Sequence, residues 1–436
     1  MNSVFFARPL ISMELDKLDN IQIKAPDRRS HTYIIGRTGM GKSTLLENMA
    51  VQDIQSGSGL AYIDPHGDSA KRLLNAVPKY RNKDVVYFNP ADVDRPIGFN
   101  PLGSGVNEDK SLLADAIINA LHKIWSDSWG ARLENLLRVS CLSVMGQKDP
   151  TFLNILRILI DDGYRKRIVK IEKDPIVKML WTEHIQKYSE RFKVEANEPV
   201  INKLAAFSTI PKIRNILCQS TSSFNMREVM DKKKILIINL SKGLIGEGSM
   251  RLIGSLLITI IQQTAMSRAD VAEKNRPDFY LYVDEFWNFI TDSFLNILSE
   301  ARKYRLNLIL AHQYIEQLTE NMQSSIFGNI GTLIMFRVGA RDLEALKPEV
   351  EPNLAVGELL SLDKYQLCYR LQHEGITEEA RKGIALPPIE PSDGGNREAI
   401  IRFSRERYGR PRDKIENKIK RWTQGTKTNT LGGVCG

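Results

Sequence analysis

The sequence contains no uninterrupted apolar stretch of the roughly 18 residues that a membrane-spanning helix needs. Its best run, Leu252 to Ile261, is closed by Gln262 and Gln263. The opening MNSVFFARPL lacks the apolar core of a signal peptide. Cysteine is scarce: Cys141, Cys218, Cys368 and Cys435 lie far apart with no C-x-x-C pair. That spacing argues against a disulfide framework or a zinc site and fits a reducing cytosol. There is no LSGGQ-like string, which disfavours an ABC-type ATPase, and no internal repeat. Net positive charge is largely missing from the body. The chain carries +9, but ten Lys/Arg against three Asp/Glu from Ile401 onward account for +7 of it. A pI near 9.2 is therefore weak evidence for a nucleic-acid-binding body.

What is present is a series of short apolar runs, each closed by a turn or polar residue. They are 32–35, 60–63, 85–88, 235–240, 279–283, 306–311 and 332–336. Continuous apolar runs of this length predict strands buried on both faces, the mark of a parallel sheet. Helical patterns between most of them predict an α/β class with a doubly wound, mostly parallel sheet. The rhythm breaks between Asn107 and about Met226, where only helical spacing is found. Leu113, Ile117, Leu121 and Ile124 follow it, as do Leu133, Leu137, Cys141 and Val144, and Phe152, Leu156 and Leu159. We divide the chain accordingly into a motor domain (1–105 and 227–386), an inserted all-α domain (106–226), a Pro/Gly-rich linker (387–400) and a basic tail (401–436). Residues 1–31 read as a lead-in with a turn at Pro26–Arg28. In the tail, Ile415, Ile419 and Trp422 share one helical face amid basic residues. The final TQGTKTNTLGGVCG reads as disordered.

Two strings carry the chemistry. GRTGMGKS, Gly36 to Ser43, fits the G-x-x-x-x-G-K-[ST] phosphate loop, with a strand before it and a helix after. Backbone N–H groups of Gly36, Arg37, Thr38, Gly39, Met40, Gly41, Lys42, Ser43 and Thr44 are expected to wrap phosphates, helped by the helix N-terminus. Lys42 should neutralise the β and γ phosphates and Ser43 should ligate magnesium. In FYLYVDE, Asp284 ends an apolar strand and should hold the metal, while Glu285 is the expected general base. The pair, 242 residues apart, reads as an Mg-dependent ATPase.

Asp64-Pro65-His66-Gly67 matches the D-x-x-G of GTPases, but the nearest base-reading string, Asn202-Lys203-Leu204-Ala205, lacks its Asp. Asp64 then either lies near the metal or builds a turn. Gln313, after the strand 306–311, sits where an amide can sense the γ-phosphate. Arg302 can serve as an arginine finger toward a neighbouring subunit or form part of a solvated face, with Arg337 and Arg341 as weaker candidates.

With these residues in place the chain resembles the HerA/FtsK superfamily of P-loop DNA translocases, and more closely the type IV secretion coupling proteins of bacterial conjugation. The resemblance rests on HTYIIGRTGMGKSTLL, YIDPHGD, FNPL, LYVDEF, LSEARKYRLNLILAHQY and FGNIGTLIMFRVGARD, and covers about residues 30–375. It implies a RecA-like core and a ring of six subunits that uses ATP and Mg2+ to pump DNA without sequence preference. It matches Arg302 to the family's arginine finger and Gln313 to its glutamine sensor. Its implied partners are DNA, a relaxase and the secretion channel. Coupling proteins usually carry N-terminal membrane spans, and the absence of one is a departure. It leaves a cytoplasmic protein at the inner face of the membrane, docked through partners or the basic tail. That tail could equally grip DNA or pack onto the motor. Alternatives are a motor for protein or pilus subunits, a cytosolic repair or packaging translocase, and a nucleotide-gated scaffold.

Overall fold

The computed structural model describes residues 3–10, 20–103, 110–290, 292–390 and 396–424. The predicted disorder of the last residues, and Cys435, fall outside the described residues from 425 onward, as does the middle of the predicted linker at 391–395. The chain forms two compact units, one of residues 1–88 and 226–401, the other of 89–225 and 402–436.

The first unit is built on one sheet of eleven strands. In chain order these are β1 (Val4–Pro9), β2 (Ile21–Ile23), β3 (Thr32–Ile35), β4 (Gly59–Asp64), β5 (Val85–Phe88), β6 (Ile235–Asn239), β7 (Phe279–Val283), β8 (Leu306–His312), β9 (Thr332–Met335), β10 (Gln366–Arg370) and, beyond a small hairpin of β11 (Gln372–His373) and β12 (Ile376–Thr377), β13 (Arg381–Ala385). The spatial order is β2-β1-β13-β10-β9-β3-β8-β7-β4-β6-β5. From β9 to β5 every neighbouring pair is parallel. These are the seven apolar runs found in the sequence, and all their residues are buried. Helices on both faces exclude water from them, at roughly 1.5–3 kcal/mol per large apolar side chain. The fold is the expected α/β one.

Beyond β9 the sheet turns antiparallel, through β10, β13, β1 and β2. The lead-in of residues 1–31 therefore supplies the edge strand β2 and its neighbour β1. The turn at Pro26–Arg28 holds a fully buried cation. Arg28 bonds both oxygens of Asp53 at 2.6 and 2.7 Å and the Tyr282 hydroxyl at 2.9 Å. Its guanidinium lies 3.7 Å over the Tyr280 ring.

The second unit is helical apart from a single antiparallel bridge, Ile97–Gly409, among its described residues. Helices Lys110–Ile124, Ala131–Met145 and Phe152–Ile160 bury the faces the spacing marked out, except that Ile124 and Leu156 are only partly covered. The C-terminal segment belongs to this unit from Arg402 onward, and a helix begins at Arg397, inside the stretch read as linker. Helix Arg412–Gln424 turns Ile415, Ile419 and Trp422 into a cavity of about 410 Å3 shared with Thr151, Leu153 and Cys218 of the same unit.

Candidate nucleotide site

The parallel register sets the site. β8 lies between β3 and β7, pairing His312 with Ile35 and Leu310 with Val283. Gly36, Gln313 and Glu285 therefore leave the sheet at neighbouring positions on its C-terminal edge, where ligands of open α/β sheets bind. β4 pairs Ile63 with Val283, which puts Asp64 level with Asp284.

The phosphate loop turns from β3 into the helix Lys42–Gln55. Gly36 has φ +154°, and a Cβ there would lie 2.5 Å from Cβ of Phe336. Only glycine fits, so the loop stays pressed against the end of β9. Two backbone bonds hold it from outside: Arg37 N–H donates to the Arg337 carbonyl at 2.8 Å and Tyr365 N–H to the Met40 carbonyl at 3.0 Å. Lys42 donates from Nζ to the loop carbonyls of Gly36 at 2.5 Å and Arg37 at 3.2 Å. Burial lowers its pKa, against the pull of Glu285 and Asp284.

Ser43 Oγ donates to Asp284 Oδ2 at 3.1 Å, bringing the two predicted metal ligands together. Asp284 is buried, and its carboxyl is pushed up to about 7 by desolvation first, then by Glu285 and Asp64, with Lys42 and Ser43 opposing. A carboxylate so poorly compensated beside a hydroxyl oxygen suits a hard divalent cation, whose charge would restore its ionised form. The donor set therefore fits Mg2+.

Glu285 follows in a left-handed conformation, φ +48°. Its Oε1 accepts from Gln313 Nε2 at 2.8 Å and its Oε2 from Trp287 Nε1 at 3.0 Å. The structure thus brings Lys42, Ser43, Asp284, Glu285 and Gln313 into one place. They line a cavity of about 450 Å3 with Thr38, Gly39, Gly41, Thr44, His66, Lys364 and Tyr365. Asp64 builds a turn: Oδ1 accepts from His66 N–H and Oδ2 from Ala70 N–H, both at 2.8 Å.

Arg302 is not in this cavity. It lies exposed in the turn Ala301–Tyr304 that leads into β8, so the whole strand separates it from Gln313, about 20 Å at 3.3 Å per residue. It is near His31, whose pKa burial lowers to about 4, with a bond to the Leu298 carbonyl opposing and Arg302 adding to the fall. Arg337 bonds the Leu362 carbonyl, and Arg341 pairs loosely with Glu316 at 3.5 Å.

Sequence reasoning missed His66, Lys364, Tyr365 and Trp287. His66 lay within a string already noted. Lys364 and Tyr365 reach the loop only through the antiparallel extension of the sheet, which no motif marks.

A family model described as the type IV secretion-system coupling protein DNA-binding domain matches residues 17–346. Among solved structures, the fold is similar to the bacterial conjugative coupling protein TrwBdeltaN70 in an unbound form, with TM-score 0.64, 15% identity, 86% of this chain and 89% of that one covered. It is also similar to the plasmid coupling protein TrwB in complex with ADP and Mg2+, with TM-score 0.60, 14% identity and coverage of 86% and 89%. VirB4 of Thermoanaerobacter pseudethanolicus gives TM-score 0.57, 13% identity and coverage of 89% and 96%. No curated protein sequence matches.

Proposed function

The chain belongs to the type IV secretion-system coupling protein DNA-binding domain family, and we propose that it is the ATP-driven DNA motor of a conjugative secretion system. The observation that carries the enzymatic part is the convergence of Ser43, Asp284, Glu285 and Gln313 on the phosphate loop.

In this reading Lys42 and the loop N–H groups bind the β and γ phosphates of ATP. Ser43 and Asp284 hold Mg2+, which supplies charge neutralisation on those phosphates. Glu285 accepts the proton of the water that attacks the γ-phosphorus, and its in-chain donors fix the carboxylate for that task. Gln313, bonded to Glu285, joins the proton acceptor to the place of the γ-phosphate. TrwB crystallised with ADP and Mg2+ is consistent with this ligand set.

Arg302 is exposed at the far end of β8 from its own site, which supports a role toward the nucleotide of a neighbouring subunit in a homo-hexameric ring. The expected partners are DNA bound through its backbone, a relaxase and the secretion channel. Among the described residues no helix is long and apolar enough to cross a membrane; contact with the inner membrane face, where it occurs, is assigned to partners or to the basic helix Arg412–Gln424.

The test is ATP hydrolysis by the full chain, with and without single- and double-stranded DNA. DNA should stimulate turnover, and Lys42→Ala or Glu285→Gln should abolish it. Hydrolysis indifferent to every DNA tried, by a protein that stays monomeric at high concentration with ATP, would overturn the DNA-motor reading. Hydrolysis unchanged by Glu285→Gln would overturn the assigned base.

A further inference from the structure

The segment after Glu285 is more constrained than its position in a turn requires. The 3-10 turn Phe286–Asn288 and the residues after it are seated on the helix Glu247–Ser267. A Cβ at Gly254 of that helix would lie 2.3 Å from the Phe289 ring, so the ring packs directly against the helix where glycine leaves room for it. Ser255 Oγ donates to the Phe289 carbonyl at 3.0 Å, and Asn288 Nδ2 donates back to the Glu285 carbonyl at 3.0 Å. Trp287, half-buried in this turn, sends its indole N–H to Glu285 Oε2. Its ring lies under the Arg251 guanidinium at 5.2 Å, and Arg251 pairs with Glu247 at 2.6 Å in the first turn of the same helix. The indole also walls a second compartment, about 230 Å3, lined by Lys242, Glu247, Met250 and Asn288. That compartment shares His66, Glu285 and Gln313 with the nucleotide cavity.

Resting on the assignment of Glu285 as general base, we propose that Trp287 is a positioning residue for it. The carboxylate hangs from a backbone in the left-handed region, a conformation that a residue with a Cβ keeps only where its surroundings impose it. Two donors on opposite sides, Gln313 on Oε1 and Trp287 on Oε2, fix the carboxylate plane. Of the two, Gln313 comes from the loop that also meets the nucleotide. Trp287 is anchored in the other direction, through Arg251, to the start of a helix none of whose residues lines the nucleotide cavity, and its neighbour Phe289 packs on Gly254 of the same helix. The aim of the proton acceptor is thereby tied to the Glu247–Arg251 turn.

The experiment compares steady-state ATP hydrolysis in the presence of DNA for the wild-type full chain, Trp287→Phe, Arg251→Met and Glu285→Gln. It adds a variant carrying benzothienylalanine at position 287, which keeps the bicyclic shape and removes only the N–H. Loss of one hydrogen bond to a charged group predicts that kcat falls about tenfold to a hundredfold in both 287 variants. KM for ATP and the affinity for a fluorescent ADP analogue should stay within about twofold, because the interaction serves the chemical step rather than binding. Arg251→Met should fall between the wild type and Trp287→Phe. If either 287 variant keeps kcat within about twofold, or loses nucleotide affinity in parallel with kcat, the positioning role is refuted. A wild type without hydrolysis, or an active Glu285→Gln, would instead refute the assignment of the base and the inference with it.

Discussion

Replacing Arg28 by methionine tests how the far end of the phosphate-loop helix is held. Asp53 lies near the last turn of that helix and Tyr282 lies two residues before Asp284 on β7. Arg28 joins them from the turn before β3, at 2% exposure, with both Asp53 oxygens and the Tyr282 hydroxyl as acceptors. Burial alone would lower the Arg28 pKa, but Asp53 above all overrides it and the net direction is up. In the single variant Asp53 keeps only the 2.5 Å bond from Tyr282 and stays buried as an unpaired charge. Removing one partner of such a pair costs about 3–5 kcal/mol. For a unit of this size that corresponds to a fall in Tm on the order of 10 °C. Replacing both partners with Arg28→Met and Asp53→Leu should restore at least half of the loss, since apolar residues of similar volume satisfy such a site nearly as well. Thermal unfolding followed by far-UV circular dichroism on the two single variants and the double variant reads the coupling directly. A single variant within about 1 °C of wild type, or a double variant no more stable than either single one, would refute the account.

Two further outcomes follow from the site. The Asp284 carboxyl titrates near 7 in the folded, metal-free chain against an ordinary 3.8, so the folded state binds the extra proton between those values and stability falls as pH rises through the window. In EDTA, Asp284→Asn should therefore be more stable than wild type by up to about 4 kcal/mol at pH 8, with the gap closing toward pH 4; a gap independent of pH in chemical denaturation would refute it. Arg302→Ala and Lys42→Ala should each be inactive alone, while mixing them one to one should recover activity at about a quarter of the interfaces in a head-to-tail ring; no recovery in the hydrolysis assay would remove Arg302 from the neighbour's site.

The legible part of this protein was the part governed by short-range rules. Seven parallel strands announced themselves as apolar runs because both faces are covered, and the phosphate loop because only glycines at fixed offsets allow its turns. β1, β2, β10 and β13 were missed for the opposite reason. They are edge or near-edge strands with mixed burial, such as the exposed Phe5 and Arg381, and the pairing of β1 with β13 joins residues more than 350 positions apart. Arg28 was read as a turn residue because nothing local reveals that Asp53 and Tyr282 surround it. The Ile415, Ile419 and Trp422 face was correctly placed on one side of a helix. Its partner, the region of Thr151 and Cys218, could not be read from periodicity, which gives a face and not what covers it.

The same distinction bears on how the nucleotide site is completed. The cavity around the phosphate loop is lined by two lysines, Lys42 and Lys364, and by His66, with Asp284 and Glu285 opposing them. Lys364 already lies 4.9 Å over the ring of Tyr365. A triphosphate with one Mg2+ still carries net negative charge, and its transition state spreads that charge over the equatorial oxygens of the γ-phosphoryl group. Lys42 is the lysine on the loop itself, so the balance favours a further cation brought from outside the chain. Arg302 is exposed, at the opposite edge of the sheet, and connected to Gln313 by a single rigid strand. An exposed arginine at one end of β8 and Gln313, bonded to Glu285, at the other is an arrangement that a head-to-tail neighbour can use. Nucleotide state at one interface would then be transmitted along β8 to the next.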